Sequence, residues 1–365
     1  MLVNFGKQIS VENVKISTRL WELHPRNVFR ISRVPNPAAT VNVFVRIERD
    51  GIAGYGEASG KRYYGEEPAV VAAKLMGLQS FLDSRRVDST ADIAAIWEEA
   101  WPVLAPSRAA QCALDVALWD WLGKREGASV AELALGAKPQ PVVSFATIGL
   151  SKPEELEGKI AELSGFPSVK IKADESGSSS TIAKVRAALP EALLAVDANC
   201  AWGAVDPQRI AQELANLGID FIEQPLPPAM EERMPAFASA LGVPIIADES
   251  CITERDVERM AGLFAGFNIK LVKCGGITPA LRMARRGKEL GLRTMVGCML
   301  ESSVLIAAGA VVAQVTDYAD LDGAWLLGDD PATGWTFDHG RLQPRAGAGL
   351  GVDCEGWIWP QINAD

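Results

Sequence analysis

The stretch "LLAVDANCAWGAVDPQRIAQELANLGIDFIEQPL", residues 193–226, contains one complete structural repeat. An apolar run, "LLAVDAN", carries Asp197 near its end; an amphipathic helical pattern, "PQRIAQELANLG", follows; a second apolar run, "DFIEQPL", carries Glu223. Continuous apolar runs read as strands buried on both faces, and a helix between two of them is the crossover of a parallel pair. Outward from this unit the rhythm continues. "VVSFATI" from 142, "SVKIKA" from 168, "PIIADES" from 244, "FNIKLV" from 267, "RTMVGCML" from 293 and "YADLDGA" from 318 complete a set of eight candidate strands, with helices such as "PEELEGKIAELSG" between them. Eight βα units in about 190 residues predict an α/β fold of the closed (β/α)8-barrel type. The open doubly wound alternative lacks its Gly-rich phosphate loop after a first strand.

Ahead of the barrel, "VFVRIERDGIAGYGEA" (43–58) reads as an antiparallel hairpin turning at Asp50 and Gly51. Three amphipathic patterns follow, "PAVVAAKLMGLQSFLDS", "DIAAIWEEAWPVL" and "PSRAAQCALDVALWDWLGK". Together they predict an N-terminal α+β capping domain over 1–125, a barrel carrying the catalytic residues over 126–340, and a Gly- and Pro-rich segment over 341–365 that returns to the cap.

The chain of 365 residues carries a formal net charge of -10, which disfavours nucleic acid and anionic membranes as partners and favours a small molecule. Six cysteines lie scattered without a Cys-x-x-Cys pair, and the first residues lack a basic start followed by an apolar run, so a reduced, cytoplasmic protein is expected. The longest apolar stretch, "VLIAAGAVVAQV" (304–315), is shorter than the roughly 18 residues of a membrane span.

Charged residues recur at the ends of the strands: Lys172, Asp197, Glu223, Asp248, Lys270 and Asp320, spaced by 25, 26, 25, 22 and 50 residues, one βα unit each and then two. In a barrel this phase puts them on the C-terminal face, where active sites of the architecture lie. Asp197, Glu223 and Asp248 come from adjacent strands, and three converging carboxylates require a cation between them. Oxygen-only ligands suit Mg2+, whereas His24 and His339, the chain's two histidines, stand in no zinc-ligand motif. Lys172 precedes these strands and Lys270 follows them, so the two reach a bound ligand from opposite sides, as two proton-transfer groups would. Lys170, two residues before Lys172, is expected to lower the basicity of Lys172 and to contact a substrate or carboxylate oxygen.

The motifs "VKIKA", "VDANCAW", "FIEQPL", "IADES", "NIKLVKCGGI", "MVGCMLES" and "DLD", with "GYGEA" and "AAQCALDVALWDWLGK" in the first domain, resemble the muconate-lactonizing enzyme subgroup of the enolase superfamily, most closely its dipeptide epimerases. The resemblance implies Asp197, Glu223 and Asp248 as Mg2+ ligands and Lys172 and Lys270 as the acid/base pair, with Lys273 a competitor in the same strand. It implies that Asp320 and Asp322, on one face of a strand, hold the α-ammonium of a dipeptide, and that Thr147, Cys298 and Met299 line the peptide pocket. The implied reaction is inversion of the C-terminal residue's α-carbon through an enediolate. A homo-oligomer is common in such barrels, though no stretch here marks an interface. The segment "RLWELHPRNVFRISRVPNPAATVNVF" departs from the family pattern, with Arg30 and Arg33 as candidate partners for an acidic side chain, and Cys200 stands unexplained beside a metal ligand.

Three rivals follow from the same residues. o-Succinylbenzoate synthase, N-acylamino acid racemase or muconate-type cycloisomerase chemistry uses the same metal and lysines, but the first and last handle substrates without an ammonium group. A barrel lysine could form a Schiff base. A non-catalytic metal-binding protein is the third.

Overall fold

The computed structural model describes residues 13–27, 30, 39–59 and 65–354. Strands β1 (Lys15–Leu23), β2 (Thr40–Arg49) and β3 (Ile52–Ser59) form an antiparallel sheet. Asp50 and Gly51 turn β2 into β3 with φ of 54° and 72°. Both angles are left-handed, the geometry that matches the twist of a two-residue hairpin.

The helix Arg108–Glu126 lies across this sheet and is buried along nearly its whole length. Two glycines in "GYGEA" permit the contact. A Cβ on Gly56 would stand 2.0 Å from the Ala113 carbonyl oxygen, and one on Gly54 would stand 2.2 Å from that of Ala117. Tyr55, between them, donates its amide to Asp120 of the helix.

The expected first barrel strand divides. β4 (Val142–Val143) leaves the barrel to pair with β14 (Arg341–Gln343) in a small sheet that also holds β13 (Thr336–Asp338). The barrel itself runs β5 (Ala146–Ile148), β6 (Ser168–Lys172), β7 (Leu193–Asp197), β8 (Ile219–Glu223), β9 (Ile245–Ala247), β10 (Gly266–Lys270), β11 (Arg293–Gly297) and β12 (Tyr318–Asp320), each parallel to the next. It closes where the Phe145 amide donates to the Ala319 carbonyl at 2.8 Å.

Phe145, Ala195, Phe221, Ile246 and Met295 fill the barrel interior as an apolar cluster separate from the main core, with Tyr318 against it. Phe145 and Phe221 meet edge to face with ring centroids 5.5 Å apart. Side chains on one face of a strand recur every two residues. The next inward positions along the same strands are therefore Thr147, Asp197, Glu223, Asp248, Gly297 and Asp320, so a polar ring sits directly on the apolar plug.

Two buried carboxylates join the cap to this ring. Glu57, at the end of "GYGEA", accepts from Asn42 at 2.7 Å and from the Ser302 hydroxyl at 2.6 Å, and so anchors the start of the helix Ser303–Ala313 and the loop after β11. Asp115, on the long helix, accepts from the Thr278 amide at 3.0 Å and its hydroxyl at 2.5 Å, at the start of the helix Ile277–Glu289. The chain after β14 also meets the long helix, where Leu350 donates its amide to Asp120 at 2.9 Å.

Gly56→Ala is expected to destabilise the protein by about 1–3 kcal/mol or more, read from urea melts, because helix and sheet must part to admit the methyl group. Wild-type stability would show that the contact gives way freely. Burial pushes the Asp115 carboxyl up to about 7, against its hydrogen bonds to Thr278. The folded protein thus holds a proton that the unfolded chain has lost, so this group's contribution is complete below the ordinary value of 3.8 and is lost as pH rises through about 7. Asp115→Asn lacks that loss. Its stability relative to wild type should rise from about pH 5 to pH 8, and a pH-independent difference would contradict the assignment.

Candidate active site

Register aligns the ends of three strands: Lys172 pairs with Asp197 across β6 and β7, and Asp197 with Glu223 across β7 and β8. Asp248 lies one residue past β9. All of these are buried, as are Lys170, Lys270, Lys273, Asp320 and Asp322. Each carboxylate of the predicted metal set faces an ammonium group. Lys172 donates to Asp197 at 2.5 Å, Lys170 to Glu223 at 3.1 Å, and Lys270 and Lys273 reach the two oxygens of Asp248 at 3.0 and 2.6 Å. Lys170 also binds Asp320 and lies 3.6 Å from Asp197. Among the described residues no three acidic, His or Cys side chains are drawn together as a ready metal shell. The carboxylates share a rim with the lysine ammonium groups instead.

The electrostatics follow from that arrangement. Burial lowers the Lys170 pKa, but Asp320, Glu223 and Asp197 outweigh it and hold the group well above the lysine range, firmly charged. Burial raises Asp197, yet Lys172 and Lys170 bring it down to about 2; Asp248 is likewise held well below the carboxylate range by Lys270 and Lys273. Glu223 goes the other way, pushed up to about 7 by burial and by the neighbouring Asp197 charge. Asp322 is pushed up to about 7 by burial and by Asp320. Four buried lysines stand against five buried carboxylates, which leaves one negative charge unbalanced, and Glu223 and Asp322 are the groups whose pKa rises in response. A hard divalent cation fits the oxygen-only donors Asp197, Glu223 and Asp248. Neither histidine is near them: His24 pairs with Asp329 at the surface, and the side chain of His339 is 74% exposed.

Two expectations need correction. Lys273 is not in the strand of Lys270; β10 ends at Lys270, and Lys273 belongs to the helical turn Leu271–Cys274, which carries it back beneath Asp248. Its ammonium donates to the carbonyls of Asp248, Cys251 and Asn268 as well as to the Asp248 carboxylate, a fully occupied, buried group. Asp322 is not on a strand with Asp320, because β12 stops at Asp320. The two still meet at Thr147, whose amide donates to Asp322 at 2.6 Å and whose hydroxyl lies 3.4 Å from Asp320. Cys298 donates its amide to the Asp320 carbonyl, and the Met299 amide is held by Glu301, so both lie in the loop beside that pair.

Arg30 binds Glu155 through two hydrogen bonds of 2.8 and 3.2 Å, which occupies its guanidinium; Arg33 lies outside the described residues. Cys200 and Asn199 have φ of 66° and 42°. This left-handed turn costs a side-chain-bearing residue roughly 1 kcal/mol, and it aims the Asn199 amide at Asp197 at 2.9 Å.

Sequence reasoning passed over two further residues. Asn268 donates to Glu223 at 2.7 Å and so orients it. The two-residue rule that relates Lys170 to Lys172 also relates Asn268 to Lys270, and that parity was the available signal. Gln224 accepts from the amides of Asp248 and Ser250 and donates to Leu226 and Ser250, locking the ends of β8 and β9 together. No periodicity points to it, since it lies just past the end of β8, in a left-handed conformation with φ of 35°.

Residues 12–136 match the mandelate racemase / muconate lactonizing enzyme N-terminal domain family, and residues 155–356 match the enolase C-terminal domain-like family. The chain belongs to the enolase superfamily, in its mandelate racemase and muconate lactonizing enzyme branch. It is 35% identical to the L-Ala-D/L-amino acid epimerase of Flavobacterium johnsoniae, over 93% of this chain and 99% of that protein. It is 34% identical to the L-Ala-D/L-Glu epimerase of Escherichia coli, over 91% of this chain and 99% of that protein. The fold resembles the crystal structure of the dipeptide epimerase from Enterococcus faecalis complexed with Mg and L-Leu-L-Tyr, with a TM-score of 0.85 and 28% identity over 94% of this chain and 99% of that one.

Lys170→Met strips the cation from three carboxylates at once. In chelator-treated protein it should cost about 3–5 kcal/mol of stability near pH 8, measured by urea unfolding. A neutral effect would mean that the ring does not depend on this charge.

Proposed function

We propose that the chain is a Mg2+-dependent dipeptide epimerase, an isomerase that inverts the α-carbon of the C-terminal residue by 1,1-proton transfer between Lys172 and Lys270. The observation that carries this reading is the opposition of the two lysines across the carboxylate ring, Lys172 on Asp197 at one side and Lys270 on Asp248 at the other. Inversion needs one group to take the proton from one face and a second to return it to the other. Two lysines on adjacent strands would serve one face only.

Asp197, Glu223 and Asp248 would hold Mg2+. When bound it supplies fixed positive charge beside the substrate carboxylate, where negative charge grows as the α-proton leaves. The residues of the chain do the rest. One lysine, neutral, accepts the α-proton; the other, as an ammonium, delivers one to the opposite face. Lys170 adds a permanent charge beside the same site. The pair Asp320 and Asp322 would take the α-ammonium of the substrate, and the raised Asp322 pKa fits a carboxylate whose counter-cation arrives with the ligand. That pair also favours a dipeptide over the substrates of a cycloisomerase or of succinylbenzoate synthesis, which carry no ammonium group. Thr147 holds both aspartates, and Cys298 and Met299 would form the adjoining wall.

The division into a cap over 1–125, a catalytic barrel over 126–340 and a returning segment over 341–365 is part of the same reading. So is a cytoplasmic location, which the six scattered cysteines favour; no helix among the described residues is long and apolar enough to cross a membrane.

Lys172→Ala and Lys270→Ala should each lower epimerisation of an L-Ala-containing dipeptide by at least about 10^2-fold. In D2O, each variant should still exchange the α-proton of one stereoisomer through its remaining lysine. Full epimerisation by either variant would eliminate the two-base mechanism.

A further inference from the structure

A cleft of about 290 Å3 opens at the seam between cap and barrel, close to the lower end of the roughly 300–1,000 Å3 range of small-molecule sites. Its cap wall comes from the helices Thr90–Glu99 and Trp101–Leu104 and the start of Arg108–Glu126; its barrel wall comes from the loop after β9 and the turn Leu271–Cys274. The turn separates it from the candidate active site. Lys273 is bonded to Asp248, and the next residue, Cys274, lines the cleft.

Three arginines line this space, and their partners differ. Arg282 lies 3.0 Å from Glu98 and 3.7 Å from Glu254, so both carboxylates of the cleft are committed to it. Arg108 and Arg255 have no carboxylate within 4.0 Å among the described residues. Arg108 is half-buried, with its guanidinium 3.9 Å from the centre of the Trp101 ring and a single hydrogen bond of 2.6 Å, to Gln111. Stacking and that bond fix the plane of the group while leaving most of its five donors unused. Burial holds the Arg108 pKa below the arginine range, with the nearby Arg255 charge pressing the same way and Cys274 and Glu254 opposing it. Two unpaired guanidinium groups facing one cleft repel each other, in a protein whose net charge is -10.

We infer that this seam is a second binding site, selective for a small oxoanion held between Arg108 and Arg255. Arginine forks match carboxylate and phosphate oxygens equally well in geometry, and the charge-assisted bonds formed there exceed neutral ones in strength. The site is independent of the epimerase reading, since none of its residues belongs to the carboxylate ring.

The test is calorimetric titration of the full-length protein with inorganic phosphate and, separately, with sodium acetate, at constant ionic strength. Saturable binding is expected, at least tenfold weaker in Arg255→Gln and weaker still in Arg255→Glu. The Arg255 side chain is exposed and makes no hydrogen bond or ion pair among the described residues, so these variants should fold as wild type. The tighter of the two anions identifies the group the cleft prefers. Binding of neither anion, or equal affinity in wild type and Arg255→Gln, would overturn the proposal; the second result would place the anion among the lysines of the barrel mouth.

Discussion

Burying four lysines and five carboxylates at one end of a barrel is the constraint on which the rest of the structure depends. Each ion taken from water costs several kcal/mol, and mutual attraction offsets this only with close geometry and satisfied hydrogen bonds. The strands provide both. Parallel register brings Lys172, Asp197 and Glu223 level, and the two-residue side-chain period sets them above Phe145, Ala195, Phe221, Ile246 and Met295, which exclude water from below. Well-packed apolar side chains often replace buried ion pairs at no loss of stability, so stability alone does not account for the ring.

The ring is held from behind as well. Gln224 ties the ends of β8 and β9, Asn268 orients Glu223, and Lys273 pins Asp248 from beneath. From the cap, Glu57 grips the start of the helix that follows the Cys298–Ser302 loop, and Asp115 grips the start of the helix Ile277–Glu289. Both cap carboxylates are buried, so cap and barrel cannot separate without exposing or stranding them. The cap thus acts as a rigid back plate, while the oxoanion cleft lies on the outer side of the turn that carries Lys273.

Much of this was legible in the sequence because it is periodic. One charged residue per βα unit, in phase over Lys172, Asp197, Glu223, Asp248 and Lys270, gave both the barrel and the face that bears the site. What escaped has no period. The place of Asp322 escaped, though not its partnership with Asp320: it lies beyond the end of β12, and the two meet at Thr147, a contact between the first and last barrel strands that exists once the barrel has closed. Lys273 reads as a continuation of β10 because "FNIKLV" runs on as one strand-like segment, whereas the chain coils at Leu271–Cys274 and leaves that turn through Gly275 and Gly276, with φ of 104° and 124°. Gln224 acts through its amide group on backbone atoms of another strand, which leaves no mark on a linear pattern. Nor does a linear pattern show that Asp320, Glu223 and Asp197 surround Lys170 and keep its charge in place.

The most direct measurement is proton NMR of the wild-type protein in D2O with Mg2+ and a mixed set of L,L-dipeptides. Loss of the α-proton signal of the C-terminal residue, together with growth of the L,D isomer, is the result expected of two lysines on opposite faces. Absence of exchange at that carbon in every dipeptide, with active, metal-loaded protein, would contradict the assignment and turn attention to N-acylamino acids and cyclohexadiene carboxylates on the same scaffold.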